Sequence, residues 1–225
     1  MKIDILTLFP EVFTSYLESS IMKRAIKDNK VEINVYNFRD YSPLNNKQVD
    51  DTPYGGGAGM VLRLEPIFNC LDNLDTQNAH VILLSPEGTT FNQKKAQELK
   101  NNYEHLIIIC GHYEGFDERI KSRVDEIISI GDYILTGGEI PALAMVDAVT
   151  RLIPGVINNS SLESESFNDN LLDYPVYTKP AEYRGLRVPD VLLSGHHENI
   201  LEYRKKMQLE KTKSLRPDLL ENKDE

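Results

Sequence analysis

The chain has 225 residues, a formal net charge of −10 and a pI near 5.1. A chain of this length buries a substantial core without covalent staples. Its two cysteines, Cys70 and Cys110, stand in no CxxC or Cys/His spacing, which argues against a disulfide framework and a zinc site. No apolar run is long enough to cross a bilayer and the amino terminus has no signal-peptide pattern, so a reduced cytoplasmic setting without a membrane partner is expected.

In chain order, Lys2 to Leu8 reads as a strand interrupted by Asp4 and Thr7 and followed by Pro10. Glu11 to Asp28 reads as helical and Val31 to Tyr36 as an alternating strand. Glu65 to Asn73 predicts a helix, His80 to Leu84 a buried strand, and Asn92 the cap of a helix running to about Leu99. Leu106 to Cys110 is a short apolar run of the kind found inside parallel sheets. From Ser129 to Leu135 the chain is again apolar and strand-like. Gly137 and Gly138 then lead into a helix from about Glu139 to Arg151, with Pro141 in its first turn, where no intrahelical amide is needed. Strands alternating with helices predict an α/β domain.

Ile153-Pro154-Gly155 stops that helix, and the polar, aperiodic segment from Asn158 to Ser166 reads as a linker. The expected organisation is an α/β domain over 1–157, a flexible linker over 158–170 and a mostly helical module over 171–225. The acidic total argues against nucleic acid, but the charge is uneven. Lys179 to Arg216 holds nine basic and five acidic residues, which suits a module that grips phosphates, or only a solvated helix face.

Pro53-Tyr54-Gly55-Gly56-Gly57-Ala58-Gly59-Met60 invites two nucleotide readings and satisfies neither. Met60-Val61 follows where a Walker loop needs Lys-Ser/Thr, and the third glycine of a dinucleotide loop is absent. What remains is a mobile, backbone-rich loop carrying Tyr54. The glycines at 137 and 138 allow main chain to approach a flat ring, with helix-start amides as donors; a tight strand-to-helix turn is the plainer alternative.

That glycine loop, Leu84-Ser85-Pro86-Glu87-Gly88, Cys110-Gly111-His112-Tyr113-Glu114-Gly115-Phe116-Asp117-Glu118-Arg119, and the stretch from Ser129 to Pro141 together resemble the bacterial tRNA (guanine-N1-)-methyltransferases of the SPOUT class. The resemblance runs from Met1 to about Leu220. It implies a mainly parallel sheet tied in a deep trefoil knot, and an obligate homodimer whose sites are shared between subunits. It also implies S-adenosylmethionine as methyl donor, held by Ser85, Pro86, Gly111, Tyr113, Glu114 and Gly115. The rest of the donor site is Ile130, Gly131, Asp132, Tyr133, Ile134, Leu135, Gly137, Gly138 and Pro141.

The substrate implied is the guanosine immediately 3′ of the anticodon in tRNA. Methylation of its ring nitrogen 1 calls for a cation beside the exocyclic oxygen and a proton acceptor. Arg151 stands at the family's catalytic arginine. Where the family commonly has aspartate before Ser-Phe, this chain has Glu165 before Ser166-Phe167, and Glu163 and Asp169 are neighbouring alternatives. Asn170 stands where glycine is common. Magnesium is implied for turnover, yet no carboxylate cage is legible in the sequence. Two other readings are a SPOUT enzyme acting on another RNA position and a non-catalytic RNA-binding module.

Overall fold

A computed structural model describes residues 1–158 and 165–221. The chain divides into two compact units, Met1–Ile157 and Asn158–Glu225. In chain order the first unit holds β1 (Lys2–Thr7), α1 (Glu11–Leu17), α2 (Ser20–Lys27), β2 (Glu32–Asn37), and the short strands β3 (Asp50–Asp51) and β4 (Val61–Leu62). There follow α3 (Leu64–Asp72), β5 (His80–Thr90), α4 (Gln93–Asn102), β6 (His105–Ile109), β7 (Glu126–Ser129) and α5 (Glu139–Thr150).

Five of these strands form one parallel sheet in the order β2-β1-β6-β5-β7. Both faces are covered, which is why β6 is apolar at successive positions rather than alternating. Leu106 and Ile108 pack with Ile3, Ile5, Phe13, Met145 and Val149 on the face carrying α1, α2, α4 and α5. Ile107 and Ile109 pack with Leu6, Phe38, Ile67 and Leu71 on the face carrying α3.

The two polar residues expected to interrupt β1 do not. Asp4 is fully buried, and its carboxylate is met by Lys2 at 3.0 Å, His105 at 2.8 Å and Asn34 at 2.9 Å, so no buried charge is left unpaired. Thr7 donates from its hydroxyl to Glu139 Oε1 at 2.7 Å, tying the end of β1 to the start of α5.

Three further expectations are corrected. The segment from Glu11 to Asp28 is two helices, broken where Ser20 takes φ 43°. Strand β5 does not end at Leu84: Leu84 and Thr89 both pair with Ile128, so Ser85 to Gly88 leave the sheet and the chain then rejoins it. Strand β7 stops at Ser129, and Ile130 to Leu135 is a loop. The Ser129 hydroxyl accepts from Gly131 N at 3.2 Å and turns the chain there, with Gly131 at φ 148°. Asn92 does cap α4, its side chain accepting from Lys95 N.

The second unit carries a small hairpin, β8 (Glu182–Tyr183) with β9 (Leu186–Arg187), and helices α6 (Asp190–Leu193), α7 (His197–Leu215) and α8 (Asp218–Glu221). An extended segment lies along α7. Leu172 N donates to the buried Thr212 hydroxyl at 3.0 Å, and Lys211 Nζ donates to Asp173 O at 2.9 Å and to its carboxylate at 3.0 Å.

Candidate functional site

The excursion of β5 at Ser85 to Gly88 and the loops that leave the carboxyl ends of β6 and β7, its neighbours in the sheet, line a cleft of about 570 Å³. This is where open parallel sheets place their ligands, and the volume suits a nucleoside-sized molecule. The β5 loop contributes Ser85 and Pro86. The β6 loop contributes Gly111, Tyr113, Glu114 and Gly115. The β7 loop contributes Ile130, Gly131, Tyr133, Ile134, Leu135, Gly137 and Gly138, with Pro141 from α5. Asp132, in the same turn, is not among the lining residues.

The glycines also meet a packing demand. A Cβ on Gly138 would lie 2.7 Å from Cys110 Cα and 2.8 Å from Gly111 N, and one on Gly111 would lie 2.8 Å from the Phe116 ring. These glycines let two stretches of chain press together: Gly138 N donates to Gly111 O at 2.9 Å, and His112 bridges to Gly137. The start of α5 is thereby clamped to the end of β6. Apolar side chains share the cleft surface with these glycines and with polar groups, Ile134 being 79% and Tyr133 54% exposed.

Tyr113 adopts φ 57° and Gly115 φ 112°, curling the β6 loop back on itself. Glu114 N then donates to Met60 O at 3.0 Å and Leu62 N to Gly115 O at 2.8 Å, so the loop from Pro53 to Met60 is anchored beside the cleft by its carboxyl end. Tyr54 at its other end is wholly exposed.

Several cleft residues carry no distinctive sequence signal. Lys121 bridges Glu87 at 2.9 Å and Glu118 at 2.5 Å, linking the β5 loop to the 3₁₀ turn after the β6 loop. His112, inside a recognised motif yet not singled out, is wedged between Phe9 and Tyr113, and its Nδ1 is buried without a hydrogen-bond partner among the described residues. Cys110 is fully buried, and burial, with the Glu139 carboxylate adding to it, pushes its thiol well above the ordinary range; it is inert.

Of the expected catalytic pair, Arg151 does not line this cleft and Glu165 belongs to the other unit. Arg151 is half-buried and caps the carboxyl end of α5, about 20 Å along the helix axis from Gly138 at 1.5 Å per residue. Asp147, one turn before it, is hydrogen-bonded to Tyr16; burial and that carboxylate push the Tyr16 hydroxyl up to about 12. Glu165 belongs to the second unit, Asp169 there is exposed with φ 51°, and Glu163 lies outside the described residues. Asn170, in the position where glycine was the expected type, adopts φ 57°.

Glu165 is followed by a tight clasp. Ser166 Oγ and the Asp173 carboxylate are 3.1 Å apart, and Asp173 N donates to Ser166 Oγ. The Lys211 ammonium first, and Ser166 with it, hold the Asp173 carboxyl below its usual range against opposing burial. A lowered native value stabilises above the ordinary 3.8 and is lost as pH falls through the native value. Acid titration followed by near-ultraviolet circular dichroism is expected to show a limb in that window that Asp173→Asn lacks. Identical titrations would assign the clasp no part in holding the segment.

Among the described residues no three His, Cys, Asp or Glu side chains cluster to hold a metal ion, and no helix is long and apolar enough to cross a membrane. Fold and cleft together define the class, a parallel α/β protein with a loop-built ligand site at the carboxyl edge of its sheet. The family model described as tRNA (Guanine-1)-methyltransferase TrmD matches residues 1–222, and the chain belongs to that family. Proteins named tRNA (guanine-N(1)-)-methyltransferase are similar to it along almost its whole length. The one from Malacoplasma penetrans is 57% identical over 97% of this chain and 96% of its own. That from Staphylococcus aureus strain MRSA252 is 56% identical over 98% and 91%, and that from Mycoplasma capricolum 52% over 98% and 92%.

Proposed function

We propose that this protein transfers a methyl group from S-adenosylmethionine to ring nitrogen 1 of a guanosine in tRNA, the one immediately 3′ of the anticodon. The observation that carries the reading is the single cleft gathering fourteen of the fifteen residues expected to hold the donor, in a chain that matches the family over residues 1–222. The cleft fits a nucleoside. Its exposed apolar side chains, Ile134 and Leu135, suit a flat ring, with the buried Pro141 behind them.

The donor supplies a methyl group on a positively charged sulfur. As guanine nitrogen 1 forms its bond to that carbon, the carbon–sulfur bond breaks and the nitrogen loses its proton. Glu165 takes the proton as general base, and the Arg151 guanidinium hydrogen-bonds the exocyclic oxygen, where negative charge develops. With Arg151 about 15 Å along α5 from Pro141, its nearest cleft residue on that helix, a complete site draws on two copies of the chain, which supports a homodimer. The base must leave its stack to enter, at a cost of a few kcal/mol. The deep trefoil knot, through the three cleft loops, and a cytoplasmic setting belong to the same proposal. Magnesium has no protein cage to which a step can be assigned.

Incubation with unmodified tRNA and labelled S-adenosylmethionine, followed by nucleoside analysis, is expected to yield 1-methylguanosine. Label on a ribose hydroxyl would favour the other SPOUT reading, and donor binding without turnover the non-catalytic one. Arg151→Ala is expected to lower the single-turnover rate by about 10²–10³-fold, the usual loss for one charge-stabilising donor. A change confined to the melting temperature would return Arg151 to a helix-end role.

A further inference from the structure

A second cleft, of about 640 Å³, lies wholly within the second unit, between the extended segment that follows Asp173 and helices α6 and α7. Tyr174, Val176, Tyr177, Lys179, Leu193 and Arg204 give it its character. The Arg204 guanidinium lies 4.7 Å over the Tyr174 ring, and Tyr177 is hydrogen-bonded to Tyr203 of α7. Val176 and Leu193 leave 79% and 55% of their surface exposed at its mouth.

The charges are as informative as the rings. In a chain of net charge −10 no acidic side chain among the described residues lines this cleft. Several other cations of the unit are committed to carboxylates: Arg187 to Glu182 and Asp190, Lys211 to Asp173, Arg216 to Asp218. Lys179 and Arg204 have no ion pair among the described residues. Two aromatic rings, a guanidinium plane and two uncommitted cations, with an apolar lip, match one nucleotide of a single-stranded RNA segment. The base stacks on the tyrosine or guanidinium face and its phosphate meets the cations.

From this geometry we infer that the cleft is a docking site for an unpaired nucleotide of the substrate RNA, separate from the site that receives the methylated base. The inference rests on the tRNA-methylating reading and adds to it a place of contact. Apolar exposure alone would suit a protein surface equally. The absence of lining carboxylates and the two unpaired cations favour a polyanion.

The test uses the full chain and an unmodified tRNA transcript, with binding followed by fluorescence anisotropy across a salt series. Val176 is so exposed that charged substitutions there leave packing intact. Val176→Glu is expected to weaken tRNA binding about tenfold, and Val176→Lys to match or exceed the wild type. Tyr177→Ala is expected to cost about tenfold, within the range for one stacked base, with the salt slope unchanged. Lys179→Ala is expected to reduce that slope by about one. In turnover the effect falls on the KM for tRNA rather than on kcat.

Wild-type affinity and KM in both Val176→Glu and Tyr177→Ala, with circular dichroism showing folded protein, would overturn the inference. So would a Val176→Glu variant that alters sedimentation while binding tRNA normally, since the surface would then join two copies of this chain. Failure of the parent reading looks different: wild-type protein binds tRNA but transfers no methyl group, and the Val176 pair still reads the cleft.

Discussion

Replacing Gly138 with alanine is expected to weaken S-adenosylmethionine binding by about tenfold to a hundredfold, and to lower the melting temperature by several degrees. Its φ of −82° suits any residue, so backbone strain plays no part. Space decides the outcome. The added Cβ would stand 2.7 Å from Cys110 Cα and 2.8 Å from Gly111 N, against main chain that cannot swing aside as a side-chain tip does. Overpacking of this kind costs about 1–3 kcal/mol, and each 1.4 kcal/mol is about a factor of ten in affinity. Relief requires α5 to back away from β6, breaking the 2.9 Å bond from Gly138 N to Gly111 O and opening the cleft wall. Calorimetric titration with the donor, paired with thermal melting, reads both effects. Unaltered affinity and melting would mean that the junction yields cheaply.

Glu165→Gln is expected to lower single-turnover methyl transfer by about 10²–10⁴-fold, the range for loss of a positioned general base, while donor affinity stays within about twofold. Glutamine keeps the shape and the hydrogen-bonding reach and loses only the ability to accept a full proton. Glu165 also lies outside the unit that carries the donor cleft, which separates the two readouts. Glu165→Asp, which keeps the carboxylate on a side chain one methylene shorter, is expected to recover a large part of the rate. A Glu165→Gln enzyme with a near-normal rate would transfer the base's role to Asp169 or Glu163.

Much of this architecture can be read before any coordinates. The run from Leu106 to Cys110 announces a strand buried on both faces, and Asn92 announces a helix start, because both signals are local. The errors arise where a distant partner decides. Nothing in Ser85-Pro86-Glu87-Gly88 says that Thr89 will resume pairing with the residue opposite Leu84. Ile130 to Leu135 has a strand's apolarity, but Ile130, Tyr133, Ile134 and Leu135 line an open cleft instead of meeting a sheet neighbour. Asp4 and Thr7 look like interruptions until His105, Asn34 and Glu139 are brought against them from 30 to 132 positions away. The segments that line the cleft were legible through motifs in a fixed order. Their grouping with Lys121 and His112 was not, since that depends on how three loops converge.

The four residues that step out of β5 are pinned at both ends, because Leu84 and Thr89 face the same Ile128. Such a segment has no slack to share with its surroundings. Lengthening it by even one position throws the added residue outward, over the mouth of the donor cleft, whereas shortening it pulls Thr89 out of step with β7. Scanning would therefore meet a region tolerant of exchanged side chains at Ser85 to Glu87 but not at Gly88, whose added Cβ would lie 2.5 Å from the Ile127 and Ile128 main chain, and intolerant of altered length, unlike ordinary surface connections. Any attempt to widen the enzyme's choice of donor has to work within a frame of fixed size, by changing what Ser85, Pro86 and Glu87 present rather than how far they reach.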